Sequence, residues 1–430
     1  MNIIDLFCGC GGMTLGFSKA GYNIVAGLDN WDKAIETYRQ NFTHPVIQAD
    51  LKDTSSAIEL IADYRPDMII GGPPCQDFSS AGKRDENNGR GDLTISYATI
   101  VASISPEWFV MENVARIVKT QKLKEAKQIL RSAGYGMTQC VLDASLCGVP
   151  QARKRFFLIG KKNAADGFLL PFIEKNLADK PMTVADYFGN NIEVTHYYRH
   201  PRSYARRGIF SIHEPSPTIR GVNRPMPQGY QLHPGDPVTS LDGIRELTTE
   251  ERSRIQTFPD TFILLGNKTE KEQMVGNAVP VNLAYFIGKS IWEYILHQKR
   301  VNSILSQDDM EYWKRKSSQM TLFNDKSPYL HNGIAVCRCP KEHIRWITEN
   351  MRFCLPNELN EISTDEIKGF ILIDDNNATI GCYSVGEWKS ADKKYLMDIK
   401  HPLAEETGTN VCRLVELKPF TENFQTTKTI

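Results

Sequence analysis

Over roughly the first 160 residues, short apolar runs alternate with stretches of helical spacing. Asn2-Ile3-Ile4-Asp5-Leu6-Phe7, Asn23-Ile24-Val25-Ala26-Gly27-Leu28, Pro45-Val46-Ile47-Gln48, Asp67-Met68-Ile69-Ile70 and Trp108-Phe109-Val110-Met111 read as strands. Helical segments such as Met13–Gly21 lie between them, which predicts an α/β domain built on a parallel sheet. A long charged helix is expected between Val114 and Arg131, stopped near Gly134. In Arg153-Lys154-Arg155-Phe156-Phe157-Leu158-Ile159 the two arginines alternate, so they share one face of a strand. The alternation is lost from 161 to about 245, where Pro, Gly, Tyr and Arg follow in irregular order. Helical spacing resumes over 246–298, and the apolar run Val281–His297 reads as a buried helix closing back on the first part. The rest mixes strand-like runs such as Gly369-Phe370-Ile371-Leu372-Ile373 with charged turns. The expected organisation is therefore an α/β domain over 1–160, an irregular smaller domain over 161–245, a return segment over 246–298, and an α+β extension over 299–430.

The turns after the strands carry the candidate chemistry. The first strand passes into Cys8-Gly9-Cys10-Gly11-Gly12 and then into a helix, which is a nucleotide-site layout. The second strand ends at Asp29, where a carboxylate is placed to accept ribose hydroxyls. The third leads to Asp50, suited to an adenine amino group. The full dinucleotide spacing is absent, so an adenosyl ligand without a pyrophosphate fits better than NAD. The fourth run enters Gly71-Gly72-Pro73-Pro74-Cys75-Gln76. A lone cysteine after a strand is usually a small buried hydrophobe. Here two prolines force the chain out of the sheet and put Cys75 at the ligand-binding end of a central strand. Glu112 ends the fifth run. A thiol, a carboxyl and two guanidinium groups suit covalent attack on a flat heterocycle gripped by its polar edge.

Composition excludes more than it selects. Formal net charge is zero, so any polyanion-binding face must come from local asymmetry. Such asymmetry exists between Arg199 and Arg224, where six arginines accompany one acidic residue, Glu214, with Tyr197, Tyr198, Tyr204 and Phe210 interleaved. The ten cysteines are scattered, and Cys337-Arg338-Cys339 is too tight for a zinc knuckle, so no structural metal is expected. Met1 leads straight into the first strand, with no secretory segment and no membrane-length apolar run. A reducing cytoplasm is the expected compartment.

Six segments in order resemble the motifs of the DNA (cytosine-5)-methyltransferases of bacterial restriction-modification type. These are Asp5–Gly12, Pro73-Pro74-Cys75-Gln76, Glu112-Asn113-Val114, Gln151-Ala152-Arg153-Lys154-Arg155, Arg245–Asp260 and Gln273–Pro280. They span roughly two thirds of the chain. The resemblance implies a Rossmann-like sheet binding S-adenosylmethionine. Phe7, Gly9, Gly11, Gly12, Asp29, Asn30, Trp31, Asp50, Leu51 and Pro74 would hold it, with Asn277 and Val279 from the returning last motif. It makes Cys75 the nucleophile for cytosine C6, places Glu112 at the N3 and amino edge, gives Arg153 the ring oxygen O2, and leaves Arg155 to a loop or phosphate. Target recognition falls to the irregular region, with Thr218, Ile219, Arg220, Asn223 and Arg224 nearest the DNA. Thr218-Ile219 resembles the family's short Thr-Leu/Val element, which helps to position the flipped base. A glycine-containing cationic loop after Cys75, with Ser79, Arg84 and Arg90, is expected to close over that base.

Implied partners are duplex DNA and a restriction endonuclease acting on the same site, with the enzyme itself a monomer in the bacterial cytoplasm. Related transfer-RNA methyltransferases usually carry a Cys-Phe-Thr element, which is missing here. Intact Cys75, Glu112 and Arg153 weigh against an inactive DNA-binding homologue. In the extension, Asp398-Ile399-Lys400 matches the Asp-x-Lys of nuclease sites, a pattern too short to carry a function, and a structural or DNA-contacting role is expected instead.

Overall fold

The computed structural model describes residues 1–74, 92–203 and 205–304, and beyond these only the strand segments 329–331, 334–338, 352–354, 369–373, 379–392 and 411–419. Cys75, Ser79, Arg84, Arg90 and Asp398–Lys400 lie outside the described residues. Contacts divide the chain into two units, Met1–Lys162 with Phe172–Trp292, and Asn163–Pro171 with Glu293–Ile430.

The first unit is built on strands β1 (Asn2–Leu6), β2 (Asn23–Asp29), β3 (Val46–Gln48), β4 (Met68–Gly71), β5 (Trp108–Val114), β6 (Tyr135–Asp143), β7 (Gln151–Ala152) and β8 (Lys154–Lys162). Helices α1 (Gly12–Lys19), α2 (Asp32–Asn41), α3 (Thr54–Ala62), α4 (Asp92–Ile104) and α5 (Gln121–Ser132) connect them. Seven strands form one sheet in the order β3-β2-β1-β4-β5-β8-β6. The strands from β3 to β5 are parallel, whereas β8 runs antiparallel to both β5 and β6. The link over 144–153 is too short for a crossover helix, so β8 can only fold back as a hairpin partner of β6. This is a Rossmann-like sheet. Its order reverses between β1 and β4, the switch point where such sheets bind ligands.

Local chemistry sets the boundaries. The charged helix expected from Val114 is interrupted. Ala115–Lys119 forms a tight 3₁₀ turn, and Thr120, extended at φ −93° and ψ 148°, caps α5 by accepting from the Leu123 N–H. Every residue of β4 is buried, as befits a central strand covered on both faces. The strand expected from Arg153 is also broken. β7 pairs with β11 (Ser216–Pro217) while β8 joins the main sheet, and Arg153 stands at the junction.

The irregular region holds α6 (Leu170–Asn176), α7 (Val184–Phe188), β9 (His196–Tyr198), β10 (Ile209–Ser211) and, after β11, β12 (Arg245–Glu246). β10, β9 and β12 make a small sheet over a core that includes Val184, Phe188, Tyr197 and Ile219. The return segment is α8 (Thr249–Ile255), α9 (Lys268–Asn277) and α10 (Val281–Ile304). Close approach requires glycine where it meets the first turn, because a Cβ on Gly12 would lie 2.3 Å from the Val279 carbonyl oxygen. In the second unit, β13 (Tyr329–His331), β14 (Ile334–Arg338), β15 (Arg352–Cys354), β16 (Gly369–Ile373), β17 (Thr379–Asp392) and β18 (Val411–Pro419) form a sheet ordered β13-β14-β16-β17-β18-β15. Only β14 and β16 pair in parallel there. Among the described residues, no helix is long and apolar enough to cross a membrane and no group of side chains could hold a metal ion.

Inside the sheet's switch point sits a buried acid. Asp5 is 1% exposed, and its Oδ2 accepts a 2.6 Å bond from Thr14. Thr14 in turn meets the Tyr38 hydroxyl at 2.9 Å, and Tyr38 meets His44 at 2.7 Å. Asp5 Oδ1 has no partner among the described residues. Burial pushes the Asp5 carboxyl up to about 7, against the Thr14 bond and with help from Asp29. The neutral acid therefore favours the fold. Its contribution is full below the ordinary carboxylate range, near pH 4, and is lost as pH rises through about 7. Denaturant titrations should show wild-type stability falling across that window, by at most about 1.4 kcal/mol per pH unit from this group. Asp5→Asn should remove that part of the slope, and parallel pH profiles for the two proteins would refute the assignment.

Candidate active site and nucleic-acid face

The residues expected to hold the cofactor follow the carboxyl ends of four neighbouring parallel strands. Phe7 to Gly12 follow β1, Asp29 to Trp31 end and follow β2, Asp50 and Leu51 follow β3, and Pro74 follows β4. The turn after β1 is conformationally demanding. Phe7 takes φ 58° and Gly9 φ 55°, and a Cβ built on Gly9 would meet nothing within 4 Å. The turn thus presents bare backbone to open space, which suits a flat or sugar-bearing ligand lying against it. Asp29 is spent differently from the expectation of a ribose contact. Its Oδ2 accepts from the Gly9 N–H at 2.8 Å and its Oδ1 from the Trp31 N–H at 2.9 Å. It locks the glycine turn to the end of β2, and the exposed side chain next to it is Asn30. Burial raises the Asp29 carboxyl, and the backbone N–H donors of Trp31 and Gly9 pull it back. Asp50 is exposed, Leu51 is buried, and exposed Asn277 and buried Val279 arrive on the α9–α10 link beside Gly12.

The catalytic candidates gather where β4 and β5 end and β8 begins. Glu112 is 8% exposed and pairs with Arg155, Nε to Oε1 at 2.9 Å. Burial raises the Glu112 carboxyl, while Arg155 and then Arg153 oppose the rise. The outcome is a carboxyl held towards its protonated form, suited to share a proton with a ring nitrogen. Asn113, the next residue, donates from Nδ2 to the Pro73 carbonyl at 3.0 Å. A Cβ on Gly72 would sit 3.2 Å from Glu112 Oε2. The chain that leads into Cys75 is therefore pinned against Glu112 up to the last described residue, Pro74.

Arg153 has a different environment from the one its expected contact with a ring oxygen requires. It is 2% exposed. Nη1 donates to the Ile219 carbonyl at 2.9 Å, and Nη2 donates to the carbonyls of Gly276 at 3.0 Å and Ala278 at 3.2 Å. Burial opposes its charge and Arg155 adds to that, so three carbonyl dipoles replace its lost hydration. Both terminal nitrogens are thus committed to backbone, and the guanidinium at Glu112 is that of Arg155.

Two buried glutamines support the same junction. Gln151 Nε2 donates to Gln256 Oε1 at 2.7 Å, Gln151 Oε1 accepts from the Ile219 N–H at 2.8 Å, and Gln256 Nε2 reaches the Ala278 carbonyl at 3.0 Å. Sequence reasoning placed both in motifs without roles. Their amide side chains, each with a donor and an acceptor, were the available signal.

The expected DNA-facing residues separate into two groups. Ile219 is a core residue, and Thr218 donates from Oγ1 to the Ala152 carbonyl at 2.9 Å. Arg220 Nη2 donates to the His200 carbonyl, and Asn223 Nδ2 donates to the Leu247 carbonyl at 2.8 Å. These four residues hold the segment in place. Arg224 is exposed and has no hydrogen bond or ion pair among the described residues.

Comparison with known proteins gives the same reading. Residues 1–293 match the model of the C-5 cytosine-specific DNA methylases. Over 292 residues the chain is 58% identical to the Type II methyltransferase M.HindV of Haemophilus influenzae, covering 68% of this chain and 96% of that one. Over 304 residues it is 54% identical to the Type II methyltransferase M.HgiDI of Herpetosiphon aurantiacus, covering 71% and 98%. The fold is similar to that of the S. pombe Dnmt2 methyltransferase, with a TM-score of 0.53, 16% identity and 69% of this chain covered against 99% of that one. A segment tied beside a buried carboxyl at Pro73, on a Rossmann-like sheet, is joined by a match over most of the chain: the protein belongs to the C-5 cytosine-specific DNA methylase family.

Proposed function

We propose that this chain methylates C5 of cytosine within a specific sequence of duplex DNA, as the modification enzyme of a restriction-modification system, with S-adenosylmethionine as methyl donor. The observation that carries the reading is the Asn113–Pro73 bond, which delivers the approach to Cys75 to the buried Glu112–Arg155 pair. Cytosine C5 is a weak nucleophile. Attack by the Cys75 thiolate on C6 breaks the C5–C6 double bond and pushes its electron pair onto C5. Glu112 holds the N3 and amino edge and shares its proton as charge develops in the ring. Arg155, already at Glu112, takes the O2 contact, and Arg153 positions the wall behind them. Gly9, Gly11, Gly12, Asn30, Trp31 and Pro74 hold S-adenosylmethionine, with Asp29 fixing the turn they share; when bound, its sulfonium supplies the methyl group. Loss of the C5 proton and departure of Cys75 restore the aromatic ring. The target base leaves the helix to reach these groups, because C5 and C6 are stacked inside a duplex. A restriction endonuclease of the same specificity accompanies the enzyme, which acts as a monomer in a bacterial cytoplasm.

Bisulfite sequencing of DNA from cells expressing the chain should reveal 5-methylcytosine at one short sequence. Duplex carrying 5-fluorocytosine at that position should trap the protein covalently. Cys75→Ser should abolish trapping and lower turnover by roughly three orders of magnitude or more. Glu112→Gln should lower it by about 10²–10⁴-fold. Adduct formation by Cys75→Ser would remove Cys75 from the mechanism.

Calorimetric titration with S-adenosylmethionine separates the two residues at the end of β2. Asn30→Ala should weaken binding by about 0.5–1.5 kcal/mol with stability unchanged, as expected for one lost neutral hydrogen bond. Asp29→Ala should cost about 1.5–3 kcal/mol and also lower stability, because two half-buried N–H groups lose a charged acceptor. Unchanged affinity in both variants would place the cofactor elsewhere.

A further inference from the structure

A second feature of the irregular region is a crowd of like charges around one open pocket. Arg199, His200, Arg220, Arg224 and Arg252 line it, and no acidic side chain does. The nearest carboxylate, Glu272, is 3% exposed and already engaged, by an ion pair with Arg252 and a 2.8 Å bond from Thr249. The guanidinium groups feel one another, and His200 is held towards its neutral form. Burial and then Arg220 push Arg199 down to about 10. Arg220 is lowered by burial and then by Arg202 and Arg224, and His200 by burial and then by Arg224 and Arg220.

Two of these arginines are braces. Arg199 donates from Nη2 to the Thr218 carbonyl at 2.8 Å, and Arg220 donates back to the His200 carbonyl. They staple the 218–224 segment to the strand end at 198–200. The brace leaves Arg224 at the mouth, exposed and unpaired among the described residues. The Tyr198 hydroxyl contacts His200 Nδ1 at 3.1 Å and lies on the pocket wall.

We infer that this pocket binds one phosphodiester group of the DNA backbone, with Arg224 as its exposed donor and Arg199 and Arg220 as its braced cationic floor. This inference rests on the DNA-methylating reading above. A base edge is neutral and cannot offset several converging positive charges, whereas a phosphate carries a full negative charge on oxygens that accept from several donors. The fold keeps the repulsion because the anion arrives with the substrate. Arg224 therefore fixes register on the duplex, and reading of bases falls to other side chains.

The test uses the full chain and duplexes carrying its mapped methylation site or a scrambled site. Arg224→Ala is exposed and loses no bond of the fold, so it should remain folded. It should weaken both duplexes by the same factor and reduce the slope of log affinity against log salt by about 0.9, the value for one lost phosphate contact. Neutral methylphosphonates placed singly along the site should identify one position that weakens the wild type and leaves Arg224→Ala unaffected. Loss confined to the methylation site with an unchanged salt slope would make Arg224 a base reader and overturn the proposal. So would the absence of any methylphosphonate position coupled to Arg224. Stabilisation of the wild type by inorganic phosphate, with no coupled position on the DNA, would assign the pocket to a free anion and also overturn it. If the wild type neither binds nor methylates DNA, the broader functional reading fails instead, and that result is separate from the three above.

Discussion

The structure depends on one buried guanidinium. Arg153 stands where β7 ends and β8 begins, and its terminal nitrogens reach the carbonyls of Ile219, Gly276 and Ala278. Those three residues come from the irregular region and from the C-terminal end of α9 with the residue that caps it. A single side chain thus joins the β7–β8 junction, the 218–224 segment and the segment that closes on the glycine turn. Isolated charge in a low-dielectric interior is costly, so these partners are not interchangeable with solvent. Gly276 shows how tightly the junction is drawn, since a Cβ there would fall 2.1 Å from the Gly221 nitrogen. The Gln151–Gln256 pair adds bonds to the Ile219 N–H and the Ala278 carbonyl at the same junction.

With Arg153 committed to backbone, Arg155 is the guanidinium paired with Glu112. The Glu112–Arg155 pair is buried, and burial pushes both groups towards neutrality while each charge pulls the other back. That balance is useful for a carboxyl that must share a proton with a ring nitrogen. It also leaves a hydrogen-bonding edge fixed before substrate arrives, which lowers the reorganisation needed when charge develops. Asn113 and Gly72 bring the nucleophile's approach to the same edge, one through a hydrogen bond and the other through the absence of a side chain.

Much of the sheet is legible in the sequence, because its central parallel strands are largely buried and read as nearly unbroken apolar runs. β4 is an example, buried at all of Met68-Ile69-Ile70-Gly71. The direction of β8 is not legible in periodicity, since an alternating or apolar strand looks the same whichever way it runs. It is set by the short link after β6. Residue types at the site are equally legible, but their partners are not. Asp29 ends β2 where a ribose-binding acid belongs, yet its oxygens face Gly9 and Trp31. Arg153 and Arg155 are two residues apart with identical chemistry, and only the break in the strand decides which one turns to the carbonyls. Asp5 reads as one polar residue in a strand. Its burial against Thr14 and Tyr38 depends on contacts from α1 and α2 that local pattern does not encode.

The arginines of this chain divide labour according to how many carbonyls surround them. Arg153 has three and is a structural pin. Arg199 and Arg220 have one each and brace a loop while keeping charge in a pocket. Arg252 has a carboxylate as well, and so is neutralised inside the fold. Arg155 has Glu112 and sits at the chemistry. Composition records all five as the same residue in a chain of zero net charge. The positive charge left in the pocket therefore comes from those guanidinium groups the fold has left without a carboxylate, which is a property of partner assignment rather than of charge count.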